Sequence, residues 1–583
     1  MSADPRLELA ALNRVSATDF AAQLDGIYEH SPWIAERAAA ARPFASRLEL
    51  LAAMQAVVLA ATTDEQLALV RAHPELAGKA AVRGELTAES TREQAGAGLS
   101  ECSAEEFERL QTLNAAYNTR FGFPFVLAVK GHDRSSVLRA FEQRLNNDPE
   151  TERATALAQI ERIAEFRLAE RLREPMGDSI LAMADHLRQC SDDADALSCT
   201  YLGAAHRATA QRLCDWMRAA GMQAHIDAIG NVVGRWCCGR PDAKTLLMGS
   251  HYDTVVNGGA YDGRLGILLP IAVVEQLRHS GVKLDFDLEI IGFGDEEGVR
   301  FGSTYLGSRA ITGQFDLGLL DRLDADGVSL REALLGAGLD PQAIPALARD
   351  PESVLGYLEV HIEQGPQLLD EDLPLGVVTA INGSQRFLIQ IEGTAGHAGT
   401  VPMHLRHDAA AAAAEILLYT EQRCAGVPGL VGTVGRLQVP SGAVNVIPGR
   451  CELSLDVRAP EDATRDAAVA DIIAEIERIR ARRGVRIELE EVLKGAATPC
   501  APTIRQALAD SIRRVTGRDA VRQLASGAGH DAVPLAALTP TGMLFVRCGN
   551  GGISHHPDET LSELDADIAA RVVADFLVRH PAP

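Results

Sequence analysis

Apolar residues recur at helical spacing through the first third of the chain. LELLAAMQAVVLA (48–60), AEEFERLQTLNAAYNTRF (104–121) and ERATALAQIERIAEFRLAERL (152–172) each predict a helix, and FPFVLAV (123–129) is the one short extended candidate among them. Pro175, followed by Gly177, predicts the close of the last of these helices. Beyond residue 178 the period changes. Short apolar runs at TLLMGS (245–250), FDLEIIGFG (286–294), LGYLEVHI (355–362) and GMLFVRCG (542–549) alternate with helical stretches such as LGILLPIAVVEQLRHS (265–280). That alternation predicts a βα sheet covered by helices on both faces. A third pattern fills about 385–497. RFLIQIEG opens like a strand, an alanine-rich helix follows (409–422), CELSLDVRAP alternates at period 2 from Cys451, and a second helix spans 463–483. Two helices with an antiparallel sheet make a small α+β domain. The expected organisation is multidomain: an all-α domain over 1–173, an α/β domain in two parts over 178–384 and 498–583, and the α+β domain inserted over 385–497.

Composition narrows the function classes. The chain has 583 residues, 46% apolar and 23% charged, which is globular and excludes disorder as the main state. With 80 acidic against 56 basic residues the formal net charge is −24, so nucleic acid is not an expected partner. No run reaches the ~18 apolar residues of a transmembrane helix, so no membrane partner is expected. The opening MSADPRLELAALNRV does not read as a signal peptide, and RHPAP carries no lipidation or retention motif. The ten cysteines show no framework spacing, and the pair Cys237–Cys238 has no C-x-x-C partner. Free thiols in a cytoplasmic protein are expected.

The candidate chemistry follows the strand-like runs. TLLMGS is followed by His251 and Asp253, LEIIGFG by Asp295, Glu296 and Glu297, GYLEV by His361 and Glu363, and LFVRCGNGGIS by His555 and His556, while Asp262 opens the helix at GRLG. Ligands bind at the C-terminal edge of an open α/β sheet. Imidazole nitrogen with carboxylate oxygen and no thiolate suits Zn²⁺, Mn²⁺ or another divalent ion. His251, Asp262, Glu297, His361 and His555 suffice for two metals with one bridging carboxylate. Neighbours leaving a strand point different ways, so one of Glu296 and Glu297 can bind metal while the other stays free as a general base.

The same residues carry a family resemblance. GSHYDTV, YDGRLG, GDEEGVRFG, LEVHIEQGP, GHAGTVPMHLRHDA, VNVIPG, DVR, GAGHDA and GGISHHPDE occur in order across about 245–560. This resembles the M20-type dinuclear amidohydrolases, in the branch of allantoate amidohydrolase, N-carbamoyl-L-amino acid hydrolase and β-ureidopropionase. The resemblance implies a dinuclear-metal hydrolase domain, binding two divalent ions (Mn or Zn), interrupted by a lid and dimerisation domain through which a homodimer forms. It implies that His251 and His361 bind one metal each or share the first site, that Asp262 bridges, and that Glu297 and His555 are the remaining ligands, with the adjacent His556 as the alternative to His555. Glu296 becomes the general base, and His397 of GHAG stabilises the oxyanion from the partner subunit. Asn445 and Arg458 bind substrate, Arg458 as a bidentate fork on its carboxylate, and Gln364 lines the pocket. One departure stands out: relatives often read GQ before the arginine of the first lid strand, whereas this chain reads Gly383-Ser384-Gln385-Arg386.

The first third has its own resemblance. The His73-Pro74-Glu75-Leu76-Ala77-Gly78-Lys79 segment, LTAESTREQAGAGL (86–99), LNAAYNTRFGFPFVLAVKGHD (113–133) and IAEFRLAERL are similar to OHCU decarboxylase. That family removes CO₂ from 2-oxo-4-hydroxy-4-carboxy-5-ureidoimidazoline to give (S)-allantoin, without metal or organic cofactor. Decarboxylation requires an oriented carboxylate and a stabilised developing charge. His73 is the candidate acid, with Glu93 as a second catalytic group, and Pro74, Ser90, Gln94 and Arg167 are candidate substrate contacts. Ser90 and Glu93 share a helical face at i, i+3, which is also the capping-box spacing. Both resemblances imply small ureide substrates. Together they imply a bifunctional enzyme of purine-ring catabolism whose second half hydrolyses allantoate to ureidoglycine, ammonia and CO₂. N-carbamoyl-L-amino acid hydrolysis or β-ureidopropionase activity is the alternative for that half. Allantoinase, the ring-opening step between the two activities, is absent from the chain.

Overall fold

A computed structural model describes residues 6–44, 47–76, 104–129, 134–173 and 175–579. The chain divides into two compact units, Met1–Asp178 and Ser179–Pro583.

The first unit is built from helices α1 (Ala17–Gln23), α2 (Pro32–Ala38), α3 (Arg47–Ala60), α4 (Thr63–Ala72), α5 (Ala104–Phe121), α6 (Arg134–Arg144) and α7 (Pro149–Arg171). A capping box between Thr62 and Glu65 starts α4, and the Asp148 carboxylate with Pro149 starts α7. Leu50, Met54 and Val58 of α3 recur four apart and share one core with Leu69, Val70, Tyr117, Phe141, Ile160 and Ala164. The extended candidate Phe123–Val129 is buried but forms no ladder. Arg144 donates to the Val126 carbonyl at 2.8 Å and the Ala128 amide donates to Gln159 at 3.0 Å, so side chains satisfy backbone that a sheet would otherwise pair. Among its described residues the one ladder is a two-residue parallel pairing of Leu7–Glu8 with Leu172–Arg173. Pro175 does not close a helix: α7 ends at Arg171, and Pro175 opens α8 (Pro175–Arg188), the position where a missing N–H costs least.

In the second unit, a nine-stranded sheet runs β14-β6-β16-β5-β3-β4-β2-β1, with β15 also on β6. The strands are β1 (Gln223–Ile226), β2 (Val232–Trp236), β3 (Thr245–His251), β4 (Asp287–Phe293), β5 (Val354–Ile362), β6 (Leu375–Ile381), β14 (Thr498–Pro499), β15 (Gln523–Ser526) and β16 (Thr541–Val546). The four apolar runs read from the sequence are the adjacent central strands β16, β5, β3 and β4, all mutually parallel. The flanking pairs β2–β4, β1–β2, β16–β6 and β14–β6 are antiparallel, so the sheet is mixed. β3 and β4 are buried at every residue, which is why they read as unbroken apolar runs. Around the sheet lie α9 (Ala204–Ala219), α10 (Leu265–His279), α14 (Pro502–Thr516) and α15 (Glu563–Arg579), with the short α11 (Leu306–Ile311) after β4.

Between β6 and β14 the chain builds a second layer. The order β9-β12-β7-β13 joins β7 (Gly383–Glu392), β9 (Val431–Thr433), β12 (Arg450–Ala459) and β13 (Arg486–Gly495), and β10 (Leu437–Gln438) also pairs β12. Cys451, Leu453, Leu455, Val457 and Ala459 of β12 face inward at period 2. They meet Ala412, Ala413 and Ile416 of α12 (Ala409–Cys424) and Ile472, Ile476 and Ile479 of α13 (Asp462–Arg483). Asp408 caps α12 by accepting from the Ala410 and Ala411 amides. A separate two-residue ladder pairs β8 (Gly396–His397) with β11 (Val446–Ile447).

Candidate active site

Because β16, β5, β3 and β4 are parallel neighbours, their C-terminal ends share one edge of the sheet. His251 ends β3. Its Nδ1 lies 3.1 Å from the Asp253 carbonyl oxygen and 3.5 Å from the Asp253 carboxylate, leaving Nε2 turned to Asp262 at 3.7 Å. The His361 Nδ1 sits 2.9 Å from the Ile362 carbonyl oxygen, so its Nε2 also faces Asp262, at 3.2 Å. His555 Nε2 reaches the other Asp262 oxygen at 2.9 Å and Glu297 at 3.3 Å. His556 instead accepts from the Asp558 amide, so of the adjacent pair it is His555 that meets Asp262. Nδ1 contacts to fixed oxygens that aim Nε2 at a shared point are the usual support of metal-binding imidazoles.

Two sets of three donors overlap at Asp262: His251–Asp262–His361 and Asp262–Glu297–His555, each with ligand atoms within 4.8 Å of one another. A third, His251–Glu296–Glu297, closes the ring, and a fourth joins Glu359, His361 and His530. Burial pushes Asp262 up, but hydrogen bonds with the three imidazoles outweigh it and hold its carboxyl well below the usual carboxylate range. Hydrogen bonding to Asp262 raises His555 to about 9, while burial raises Glu297 to about 6 and Glu296 well above its ordinary value.

The donor set fits divalent cations. Asp253, Asp262, Asp295 and Glu296 are all buried, yet among the described residues none is ion-paired with lysine or arginine, and Asp295 keeps one oxygen buried without a partner. Buried carboxylates gathered without lysine or arginine need neutralising by protons, by the neighbouring imidazoles or by a bound cation. Nitrogen and oxygen donors without thiolate fit a divalent ion at this place.

Several residues outside the five candidate ligands shape the site. The Asp253 carboxylate accepts the Glu296 amide at 3.1 Å and the Glu297 amide at 3.2 Å, which fixes the acidic turn against His251. Glu559 accepts the Tyr261 and Asp262 amides and the Ser554 hydroxyl, while Ser554 also lies 3.1 Å from Asp262. His530 packs its ring 4.5 Å from that of His361 and bonds Ser526 at 2.7 Å. The signals were present in the HYD, HHPDE and GAGHDA segments, but nothing in spacing distinguishes a support from a ligand. Glu363, grouped with His361 in the sequence, instead accepts the Gln367 and Leu368 amides and tethers a turn.

The remaining candidates fall outside this cluster or on its rim. Gln364 donates to both Asp262 oxygens at 3.1 and 3.2 Å. Arg458 spends its guanidinium on Asp456 at 2.9 Å and on the Gly527 carbonyl at 2.6 Å, at the edge of a cleft of about 520 Å³ beneath β9 and β12. Its fork is thus occupied by a carboxylate of its own strand. His397 lies on the β8–β11 ladder and Asn445 directly before β11, where the Ala398 amide donates to the Asn445 carbonyl at 2.9 Å. Both side chains are exposed, and neither contacts the carboxylate–imidazole cluster.

In the helical unit, His73 follows α4, buried, with Nδ1 3.0 Å from the Leu69 carbonyl oxygen. The following segment is held against α5, where Asn114 donates to the Leu76 carbonyl and Asn118 to Glu75. Pro74 is half-buried. Arg167 is buried in an ion pair with Glu29 at 2.6 Å and donates to the Gly26 carbonyl. Ser90, Glu93 and Gln94 lie outside the described residues.

A mixed sheet presenting imidazoles and carboxylates at the C-terminal edge of its parallel strands, with an inserted α+β layer, defines a metallohydrolase class of fold and site. Residues 247–579 match Peptidase family M20/M25/M40, and residues 13–169 match OHCU decarboxylase. N-carbamoyl-L-amino acid amidohydrolase of Geobacillus stearothermophilus is 39% identical over 400 residues, covering 69% of this chain and 96% of that protein. Allantoate deiminase of Arabidopsis thaliana is 37% identical over 429 residues, covering 69% and 82%. The crystal structure of an amidase of the hydantoinase/carbamoylase family from Burkholderia multivorans superposes with a TM-score of 0.65 at 30% identity, covering 69% of this chain and 97% of that one. The chain belongs to the M20 family through its second unit and carries an OHCU decarboxylase domain ahead of it. It is a decarboxylase fused to an amidohydrolase.

Proposed function

We propose that the second unit hydrolyses allantoate to ureidoglycine, ammonia and CO₂, and that the first decarboxylates 2-oxo-4-hydroxy-4-carboxy-5-ureidoimidazoline to (S)-allantoin. The observation that carries the hydrolytic half is the Asp262 carboxylate shared between two donor sets, with Glu296 beside it and uncommitted to Asp262. His251 and His361 on one side, and Glu297 and His555 on the other, would hold two divalent ions bridged by Asp262. Bound there, such ions would acidify a water and polarise the ureido carbonyl. A Glu296 oxygen takes the water's proton and returns it to the departing nitrogen. Burial raises the Glu296 carboxyl, which suits a group that must both accept and release a proton. The exposed His397 and Asn445 are offered to substrate by a second copy of the chain, His397 donating to the oxygen that gains charge. Arg458 exchanges Asp456 for the substrate carboxylate, and Gln364 turns from Asp262 to line the pocket.

The helical half would use His73, Glu93 and Arg167, with Pro74, Ser90 and Gln94 around the ring. The choice of allantoate over N-carbamoyl amino acids rests on the companion decarboxylase, because curated relatives include both an allantoate deiminase and a carbamoyl-amino acid hydrolase at similar identity.

The test is ammonia release by metal-loaded protein from allantoate and from a panel of N-carbamoyl amino acids, with Glu296→Gln alongside. Turnover of allantoate alone, falling about 10²–10⁴-fold in the variant while metal content is kept, is the expected result. Turnover of the carbamoyl amino acids instead overturns the substrate, and an active variant overturns the role of Glu296.

A further inference from the structure

Tyr305 holds a backbone conformation that a bulky residue avoids: φ 64°, ψ 29°, in the left-handed region, directly before α11. Such strain persists only where the surroundings over-determine it, and here they do. The Leu306 amide donates to the Asp295 carbonyl at 2.9 Å, tying the turn to the acidic segment. Asn231 accepts the Gly294 amide and donates to the Gly307 carbonyl, clamping β4 to α11. Ser308 donates to Asp531 at 2.6 Å, drawing the 527–531 loop onto the same turn.

That bracing brings the phenol hydroxyl to the base. A Cβ added to Gly529 would stand 2.0 Å from the Tyr305 hydroxyl and 3.7 Å from Glu296 Oε1, so glycine is what lets the hydroxyl and the carboxylate border one space. Tyr305 is partly buried, and its hydroxyl, which has no hydrogen-bond partner among the described residues, stays open to solvent. A tyrosine hydroxyl that opens on a cleft keeps its donor for water or for a ligand that replaces it. This one is held in strain beside a proton-transfer group, with its donor left for something that enters.

We propose that Tyr305 is a substrate-contacting residue of the hydrolase, its hydroxyl donating a hydrogen bond to the ureido group at the end attacked beside Glu296. The inference rests on the ureide-hydrolase reading above and adds to it a polar contact that favours an acceptor oxygen next to the scissile bond.

Tyr305→Phe removes the hydroxyl and keeps the ring, so kcat/KM on whichever ureide the wild type turns over should fall about tenfold or more, with thermal midpoint and metal content unchanged. A Phe variant within twofold of wild type overturns the proposal and leaves the ureide reading standing. A wild type inactive on both allantoate and the carbamoyl panel overturns both. Gly529→Ala supplies the second arm. Its methyl meets the hydroxyl at 2.0 Å but the ring carbon behind it only at 3.3 Å. It should therefore cost more activity in the Tyr305 background than in the Phe background, and equal losses in the two would also count against the hydroxyl.

Discussion

Gly263 follows Asp262 with φ 66°, and an added Cβ would lie 2.4 to 2.5 Å from three atoms of the His251 imidazole. Backbone and ring therefore compete for the same volume, and no rotation of a methyl relieves it. Alanine at this position must move either His251 or the Asp262 turn, both of which set the shared donor point. Gly263→Ala is expected to bind less metal than wild type and to lose hydrolysis about 10–100-fold, the usual cost of disturbing what orients a ligand. Elemental analysis beside the ammonia assay checks it, and a full metal complement at wild-type rate would refute it. The candidate ligands were legible in the sequence because four of the five, His251, Glu297, His361 and His555, follow apolar runs, while Asp262 opens a helix. Supporting roles were not: Asp253 was visible beside His251, but what it does, like what Glu559 and Tyr305 do, lies in hydrogen bonds and a backbone angle that spacing does not encode. Arg458 and Arg167 show the converse. Each looked like a free cationic grip, and each is paired, with Asp456 and with Glu29, because a half-buried or buried guanidinium in a chain this acidic finds a carboxylate.

At the scale of elements, legibility followed burial. The four central strands are enclosed on both faces and announce themselves as continuous apolar runs, whereas β1 alternates between exposed and half-buried residues and was not singled out. The Phe123–Val129 stretch looks like a strand for the same reason that a core strand does, yet side chains of α6 and α7 take its backbone bonds. Helix α7 also carries a testable electrostatic feature. Burial raises the Glu161 carboxyl from 4.5 to about 7, outweighing the opposite pull of hydrogen bonds from the Tyr28 hydroxyl at 2.6 Å and from Gln55. Between these values the folded unit keeps a proton that the unfolded chain has released, so this group's contribution to stability is full below about pH 4.5 and is lost as pH climbs through 7. Glu161→Gln keeps an acceptor for Tyr28 and removes the titration. The variant should match wild type near pH 4.5 and show slower amide exchange across α7 at pH 8. A pH-independent difference between the two would rule out the buried carboxyl as the cause.

For the whole molecule, the two units have separate cores, and the donor clusters found among the described residues all lie in the second. The helical unit matches the OHCU decarboxylase family, and the chemistry proposed for it needs only an acid and a cationic contact for a carboxylate. Chelation should therefore separate the activities. After exhaustive treatment with a chelator and its removal, ammonia release from allantoate is expected to vanish and to return with Mn²⁺ or Zn²⁺, while CO₂ release from the imidazoline substrate continues at its original rate. Neither of the two reactions proposed for the units opens the allantoin ring, so supplying the imidazoline alone should yield allantoin and no ammonia until an allantoin-hydrolysing enzyme is added. Loss of decarboxylation together with the metal would contradict this, because it would make the helical unit's activity depend on the loaded hydrolase. Ammonia appearing without the added enzyme would place a third activity in a chain where neither unit has a site assigned to it.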